Sequence, residues 1–185
     1  MNNVSSMLTS LGFTRICDTD KEILDFIHNM RNNEHCILIF NNENRRDQIV
    51  KEFFNPEFLH NTTTACFTHK LSKFHCDKEI TYDKLVQEQV LIPNTVSDFL
   101  LSVLDKSYQR DCTRIACEDT SWFAESGFYE EHQKLGNNMD KKVIDESVLL
   151  CCYNATKLND EQMNTVLSSR NYILLEEPFS LYSKN

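Results

Sequence analysis

Glycine is scarce in this chain, with 3 in 185 residues. A loop that cradles phosphate needs glycines so that several backbone N–H groups can converge on one anion. It also needs a lysine and a hydroxyl for the terminal phosphate and magnesium. The turn "NNENRRDQ" (41–48) follows an apolar run and precedes an amphipathic helix, where such a loop would sit, and it has no glycine, lysine or hydroxyl. ATP hydrolysis of the P-loop kind is therefore not expected. Arg45 and Arg46 could still attract an anion, but on the first turn of that helix they are expected to face water.

Other absences narrow the field. No run approaches the roughly 20 apolar residues that span a bilayer. The opening "SMLTSLGFTRICDTDKEILDFIHNM" lacks the charged start, unbroken apolar stretch and cleavage site of a signal peptide, so a cytoplasmic protein is expected. The formal charge is -9 and the basic residues form no stripe, which disfavours direct binding to nucleic acid. There is no G-x-S-x-G turn, and the 6 histidines are dispersed, so no nucleophilic triad is supported. Nothing calls for a cofactor.

What the chain does have is cysteine, 8 in all. They are scattered through a chain long enough to be held by its core, so reduced, buried thiols are expected rather than a disulfide framework. In "CFTHKLSKFHC", Cys66, His69, His75 and Cys76 are zinc-type ligands. Positions three apart on a strand face opposite ways, however, and the paired chelating loops of a zinc ribbon are missing, so no metal is assigned. Cys151 and Cys152, adjacent on a strand, point to opposite faces, which disfavours a bond between them.

The pattern along the chain is helical first and then alternating. Val4, Met7, Leu8 and Leu11 recur at helical spacing before Gly12, and a second helix starts at the capping pattern Thr19 to Glu22 and carries Ile23, Leu24, Phe26, Ile27 and Met30. Residues 1–33 thus read as a short N-terminal helical appendage, packed on the chain's own sheet or offered to a partner, ahead of an α/β domain over 34–185. Strands are expected at 36–40, 63–69, 113–119, 148–153 and 172–176. Helices are expected from about Asn44 to Phe54, along the face Val96 to Tyr108, around Asp140 to Ser147, and from Asn159 through Leu167, with 125–138 a loop containing about one helical turn. This alternation implies βαβ units and a mainly parallel sheet flanked by helices.

Ligands of an open parallel sheet bind beyond the carboxyl ends of the strands. That rule selects Asn41, Asn42 and Glu43 after the first strand, His69 and Lys70 after the second, Glu118 through Trp122 after the third, and Tyr153 and Asn154 after the fourth. Polar strand ends also turn into solvent in any such fold. Glu118-Asp119 occupies the place of a magnesium-binding acid but has no phosphate loop to serve.

Three stretches together resemble the MEDS domain (methanogen/methylotroph, DcmR-type sensory domain). "EHCILIFNNENRRDQIVKEFF" is similar to its opening strand, polar turn and helix. "RIACEDTSWFAESG" is similar to its arginine, glutamate and tryptophan stretch, with Glu118 and Trp122 in the matching places, and "DESVLLCCYNATKLNDEQMNTVLSSRNYIL" to its closing segment through Cys152, Tyr153 and Leu158. The resemblance covers most of 34–176. It implies a degenerate RecA/KaiC-like domain, generally without an intact phosphate loop, and a sensory role toward small organic compounds. Arg170-Asn171 stands where the family often has histidine. With no DNA-binding or kinase module in view, any signal is expected to leave through a signalling partner or self-association. The expected site is non-catalytic: Asn41, Asn42 and Glu43 give polar contacts, Glu118 accepts a hydrogen bond or caps a helix, and Trp122 and Tyr153 form apolar walls. The alternative is an interaction or oligomerisation module descended from a RecA-like ATPase.

Overall fold

The computed structural model describes residues 2–59, 61–69, 73–83, 112–137 and 145–184. Along the chain these form α1 (Asn2–Ser10), β1 (Phe13–Cys17), α2 (Asp20–Asn29), β2 (His35–Phe40), α3 (Glu43–Phe53), β3 (Thr62–Thr68), β4 (Lys78–Thr81) and β5 (Cys112–Cys117). They continue with α4 (Trp122–Glu125), α5 (Tyr129–Asn137), β6 (Ser147–Asn154), α6 (Asp160–Ser168), β7 (Tyr172–Leu175) and β8 (Ser180–Lys184). The helix expected along Val96 to Tyr108 lies outside the described residues, as does most of the one around Asp140 to Ser147.

Among the described residues the strands form one 8-stranded sheet in the order β1-β8-β7-β2-β6-β5-β3-β4. From β7 to β4 every pairing is parallel, while β8 runs antiparallel to both β7 and β1. β2, buried at all six positions, has neighbours on both edges and helices on both faces, which is why "HCILIF" is continuously apolar after its first residue. On one face α2 and α3 place Ile23, Ile27, Ile49, Val50 and Phe53 against Leu38, Phe40, Leu150 and Leu174. On the other, α1 and α6 place Val4, Leu8, Met163, Val166 and Leu167 against Ile37, Ile39, Ile173 and Leu175. The expected α/β class, with a mainly parallel sheet flanked by helices, is the fold observed.

Local signals explain the helix ends. Gly12 takes φ +84 and closes α1, a conformation that glycine adopts without a Cβ clash. Thr19 caps α2 by accepting from the Glu22 N–H, and Asn159 with Gln162 makes both arms of a capping box on α6. Two expectations are corrected. The N-terminal segment carries, besides its two helices, the strand β1, which joins the sheet edge beside β8. The span 125–138 is mostly the helix α5 rather than a loop, and Gly127 at φ +79 provides the break between α4 and α5.

Arg114 ties the α2/α3 layer to the sheet. It is 3% exposed on β5, and its guanidinium donates to the carbonyls of Ile27 (3.0 Å), His28 (2.6 Å), Met30 (3.3 Å) and Phe53 (3.1 Å). These are carbonyls at the carboxyl ends of α2 and α3, where helices leave acceptors unsatisfied and the backbone dipoles favour a cation. Burial lowers its pKa from the usual arginine value.

Candidate functional site

The chain leaves β2 in one direction to build β3, β5 and β6, then crosses to the other side of β2 for β7. The crevice beyond β2 and β6 is therefore the topological switch point where an open α/β sheet binds ligands.

The turn after β2 starts α3 with Asn42 as cap, its Oδ1 accepting from the N–H groups of Asn44 (2.9 Å) and Arg45 (3.3 Å). The preceding amides are also engaged. Glu176, at the end of β7, accepts with Oε2 from the N–H of Asn41 (2.9 Å) and of Asn42 (3.3 Å), while its own N–H donates to the Ile39 carbonyl at 3.0 Å. Where a phosphate loop would turn backbone amides toward an anion, this chain supplies the anion from its own neighbouring strand. Asn41, Asn42 and Glu43 are exposed at the rim of this arrangement.

Arg46 does not face water as expected. It is 5% exposed, donates from NH1 to the Glu118 carbonyl (3.0 Å) and from Nε to Asp47 (2.7 Å), and lies over the Phe40 ring at 5.3 Å. The carboxylate of Glu118, itself 6% exposed, accepts from the Cys66 thiol at 3.0 Å and the Thr68 hydroxyl at 3.2 Å. Glu118, expected as a hydrogen-bond acceptor or helix cap, has protein donors on both carboxylate oxygens. Asp119 accepts from Ser121 Oγ and from the Lys157 ammonium at 2.8 Å, and Lys157 also reaches Glu125 at 2.8 Å. Burial works against the lysine's charge, but the two carboxylates outweigh it and raise its pKa. Ser121 Oγ in turn accepts from the Asn154 N–H at 3.1 Å, closing the ends of β5 and β6 onto each other.

Tyr153 lies on the other face of the sheet from the Glu118 carboxylate. It belongs to the α1/α6 core, opposite the one containing Cys66, the thiol that holds Glu118. Trp122, half-buried, stacks on Tyr82 at 5.6 Å and meets Phe123 edge-on at 5.3 Å. Phe123 stacks on His132 at 4.7 Å, and His132 reaches Tyr153 at 6.4 Å. Burial, followed by the charge of Arg170, lowers the His132 pKa to about 4. The structure thus separates the expected residues into a polar rim, an internally satisfied acid and an aromatic row. Of the other strand-end candidates, His69 is half-buried and Lys70 lies outside the described residues. Sequence reading missed Glu176, because nothing in "YILLE" marks the final acid as the partner of a turn 134 residues away.

Among the described residues, no group of three or more His, Cys, Asp or Glu side chains is arranged to hold a metal ion. None of the helices described is long and apolar enough to cross a membrane. A polar hollow lined by Asn33, His35, Ser169, Arg170, Asn171 and Tyr172 opens at the amino ends of β2 and β7, opposite the crevice.

The mostly parallel eight-stranded sheet flanked by helices is a RecA-like α/β fold. A KaiC-like protein from the hyperthermophilic archaeon Pyrococcus horikoshii OT3 superposes with a TM-score of 0.51 at 11% identity, over 79% of this chain and 73% of that one. The flagellar accessory protein FlaH from Methanocaldococcus jannaschii gives 0.45 at 10% identity, over 85% and 78%. The cytoplasmic domain of EssC gives 0.45 at 10% identity over 76% of this chain, which spans 31% of that domain. No family model matches the chain, and no curated protein does.

Proposed function

We propose that this chain is a non-enzymatic RecA-like module, derived from a nucleotide-binding ancestor and acting through contact with a protein partner or a second copy of itself. The observation that carries this reading is the Glu176 carboxylate on the amides of Asn41 and Asn42. A bound phosphate would have to displace a tethered anion, with no lysine or hydroxyl in "NNENRRDQ" to repay the exchange. The N-terminal helices are poor contact surfaces because Val4, Leu8, Ile23 and Ile27 are consumed by the core. The outer edge of β1 is better suited. It ends the sheet among the described residues and presents Ile16 at 49% exposure, an apolar residue on an edge of the kind that accepts an added strand. Calorimetric titration with magnesium ATP is expected to show no saturable binding, while sedimentation shows self-association, or partner binding, weakened by Ile16→Lys. Saturable nucleotide binding, or turnover abolished by Glu118→Gln, would overturn the reading.

A second reading, a sensor for a small organic compound, rests on the resemblance to MEDS domains and on the half-buried Trp122 beside Tyr82. A ligand entering that row would change the emission of Trp122, the chain's 1 tryptophan. In that reading, ligand binding shifts the population of strand-end arrangements. A ligand response that survives Trp122→Ala combined with Glu118→Ala would remove its site.

A further inference from the structure

The adjacent Cys151 and Cys152 diverge across the sheet, with Cys152 in the α2/α3 core and Cys151 against the α1/α6 core. The neighbour of Cys151 comes from the next strand. β5 and β6 run parallel with Cys117 directly opposite Cys151, so both thiols project from the same face. The two are in side-chain hydrogen-bonding contact, both are free, and both residues are half-buried. Neighbouring strands lie about 4.7–4.9 Å apart. That spacing is within the roughly 4.4–6.8 Å Cα separation that a disulfide spans. No strand would have to move far to join the sulfurs.

We propose that Cys117 and Cys151 are a reversible dithiol site oxidised to a cross-strand disulfide by a hydroperoxide. Cys151 is the attacking sulfur. The hydrogen bond from Cys117 lowers its pKa first, and the Arg170 charge lowers it further, against the effect of burial. The same contact raises the Cys117 pKa and keeps that thiol protonated. In the first step the Cys151 thiolate attacks one peroxide oxygen, the O–O bond breaks, and the departing oxygen takes a proton to leave as water or an alcohol. Cys151 is then a sulfenic acid. In the second step Cys117 attacks that sulfur, the S–O bond breaks, and hydroxide leaves as water with the Cys117 proton. The dithiol has lost two electrons and the peroxide has gained them. An external dithiol reduces the disulfide by exchange, restoring both thiols and becoming a disulfide itself.

The other thiols are less suited. Cys36 and Cys152 are fully buried, and burial raises the pKa of each. Cys76 contacts Cys66 and has a lowered pKa, but Cys66 is fully buried and its thiol is held by Glu118 at 3.0 Å. The test treats the reduced full chain with hydrogen peroxide, alkylates the remaining thiols and maps them by peptide mass spectrometry. The expected result is a link between the Cys117 and Cys151 peptides, with near-complete loss of alkylation at both and recovery after dithiothreitol. In Cys117→Ser the reaction stops at a sulfenic acid that dimedone traps on Cys151. A link mapping to Cys66–Cys76 or Cys151–Cys152, or wild-type chain keeping Cys117 and Cys151 alkylatable while other thiols oxidise, would overturn the proposal. The mapping on the wild-type chain needs no variant to fold.

Discussion

Arg114 shows how much one side chain can hold. Its guanidinium serves four carbonyls from two helices, so Arg114→Ala would leave buried acceptors without donors and two helix ends without a countercharge. The expected loss is about 3–5 kcal/mol, as for breaking a buried charged contact from one side. It would be read as a lowered urea midpoint with far-UV circular dichroism as the probe. Glu176→Ala is expected to cost less, about 1–2 kcal/mol, because the amides of the exposed Asn41 and Asn42 can turn to water.

His132 sets a pH dependence at the same scale. Its pKa falls from 6.5 to about 4 on folding, so between those values the unfolded chain binds the proton that the folded chain refuses. Stability therefore rises with pH across that window and is lost as pH falls through it. In His132→Phe, which keeps an aromatic ring against Phe123, the slope of stability against pH between about 4 and 6.5 should flatten relative to wild type. Equal slopes in the two proteins would mean that His132 is not the group responsible.

At the scale of elements, legibility followed burial. β2, β3, β5, β6 and β7 were readable because strands with neighbours on both sides are buried almost throughout, and so are built mainly from apolar and β-branched residues. The edge strand β1 shows one buried position in five and β4 shows none, so neither carries a run or alternation to detect. β8 has three buried positions, but its pairing with β1 is made far away in sequence. α5 escaped for a related reason: its place is set by His132 on Phe123 and by the Tyr129 hydroxyl donating to the Gln162 carbonyl at 3.1 Å, contacts invisible in "YEEHQKLGN". Caps were better signposted. Removing the Asn42 side chain, which accepts from two α3 amides, should cost about 1 kcal/mol, and Asn42→Asp should recover it. Parallel urea titrations of the two variants would measure both effects.

For the whole molecule, the candidate site was legible as a location and not as a network. The strand-end rule found Asn41, Asn42, Glu118 and Asp119, yet which charge answers which amide depends on pairings such as Glu176 with the β2 turn. The N-terminal segment has a structural role that bears directly on experiment. Deleting residues 1–31 would remove β1 and the buried Leu8, Ile23 and Ile27, each worth about 1.5–3 kcal/mol of burial. The truncated chain is expected to lose its cooperative unfolding transition, so lost partner binding in it would report misfolding. Ile16→Lys, at an exposed position, tests the same surface with the core intact.

The pairing of β1 with β8 also orders events during synthesis. Among the described residues β1 is hydrogen-bonded to β8 alone, from Phe13 opposite Lys184 to Cys17 opposite Leu181. Translation at about 5–20 residues per second separates the two strands by roughly ten to thirty seconds. Through that interval β1 waits for its β8 partner, and the Ile16 edge is available to chaperones or to neighbouring nascent chains before the protein can claim it for itself.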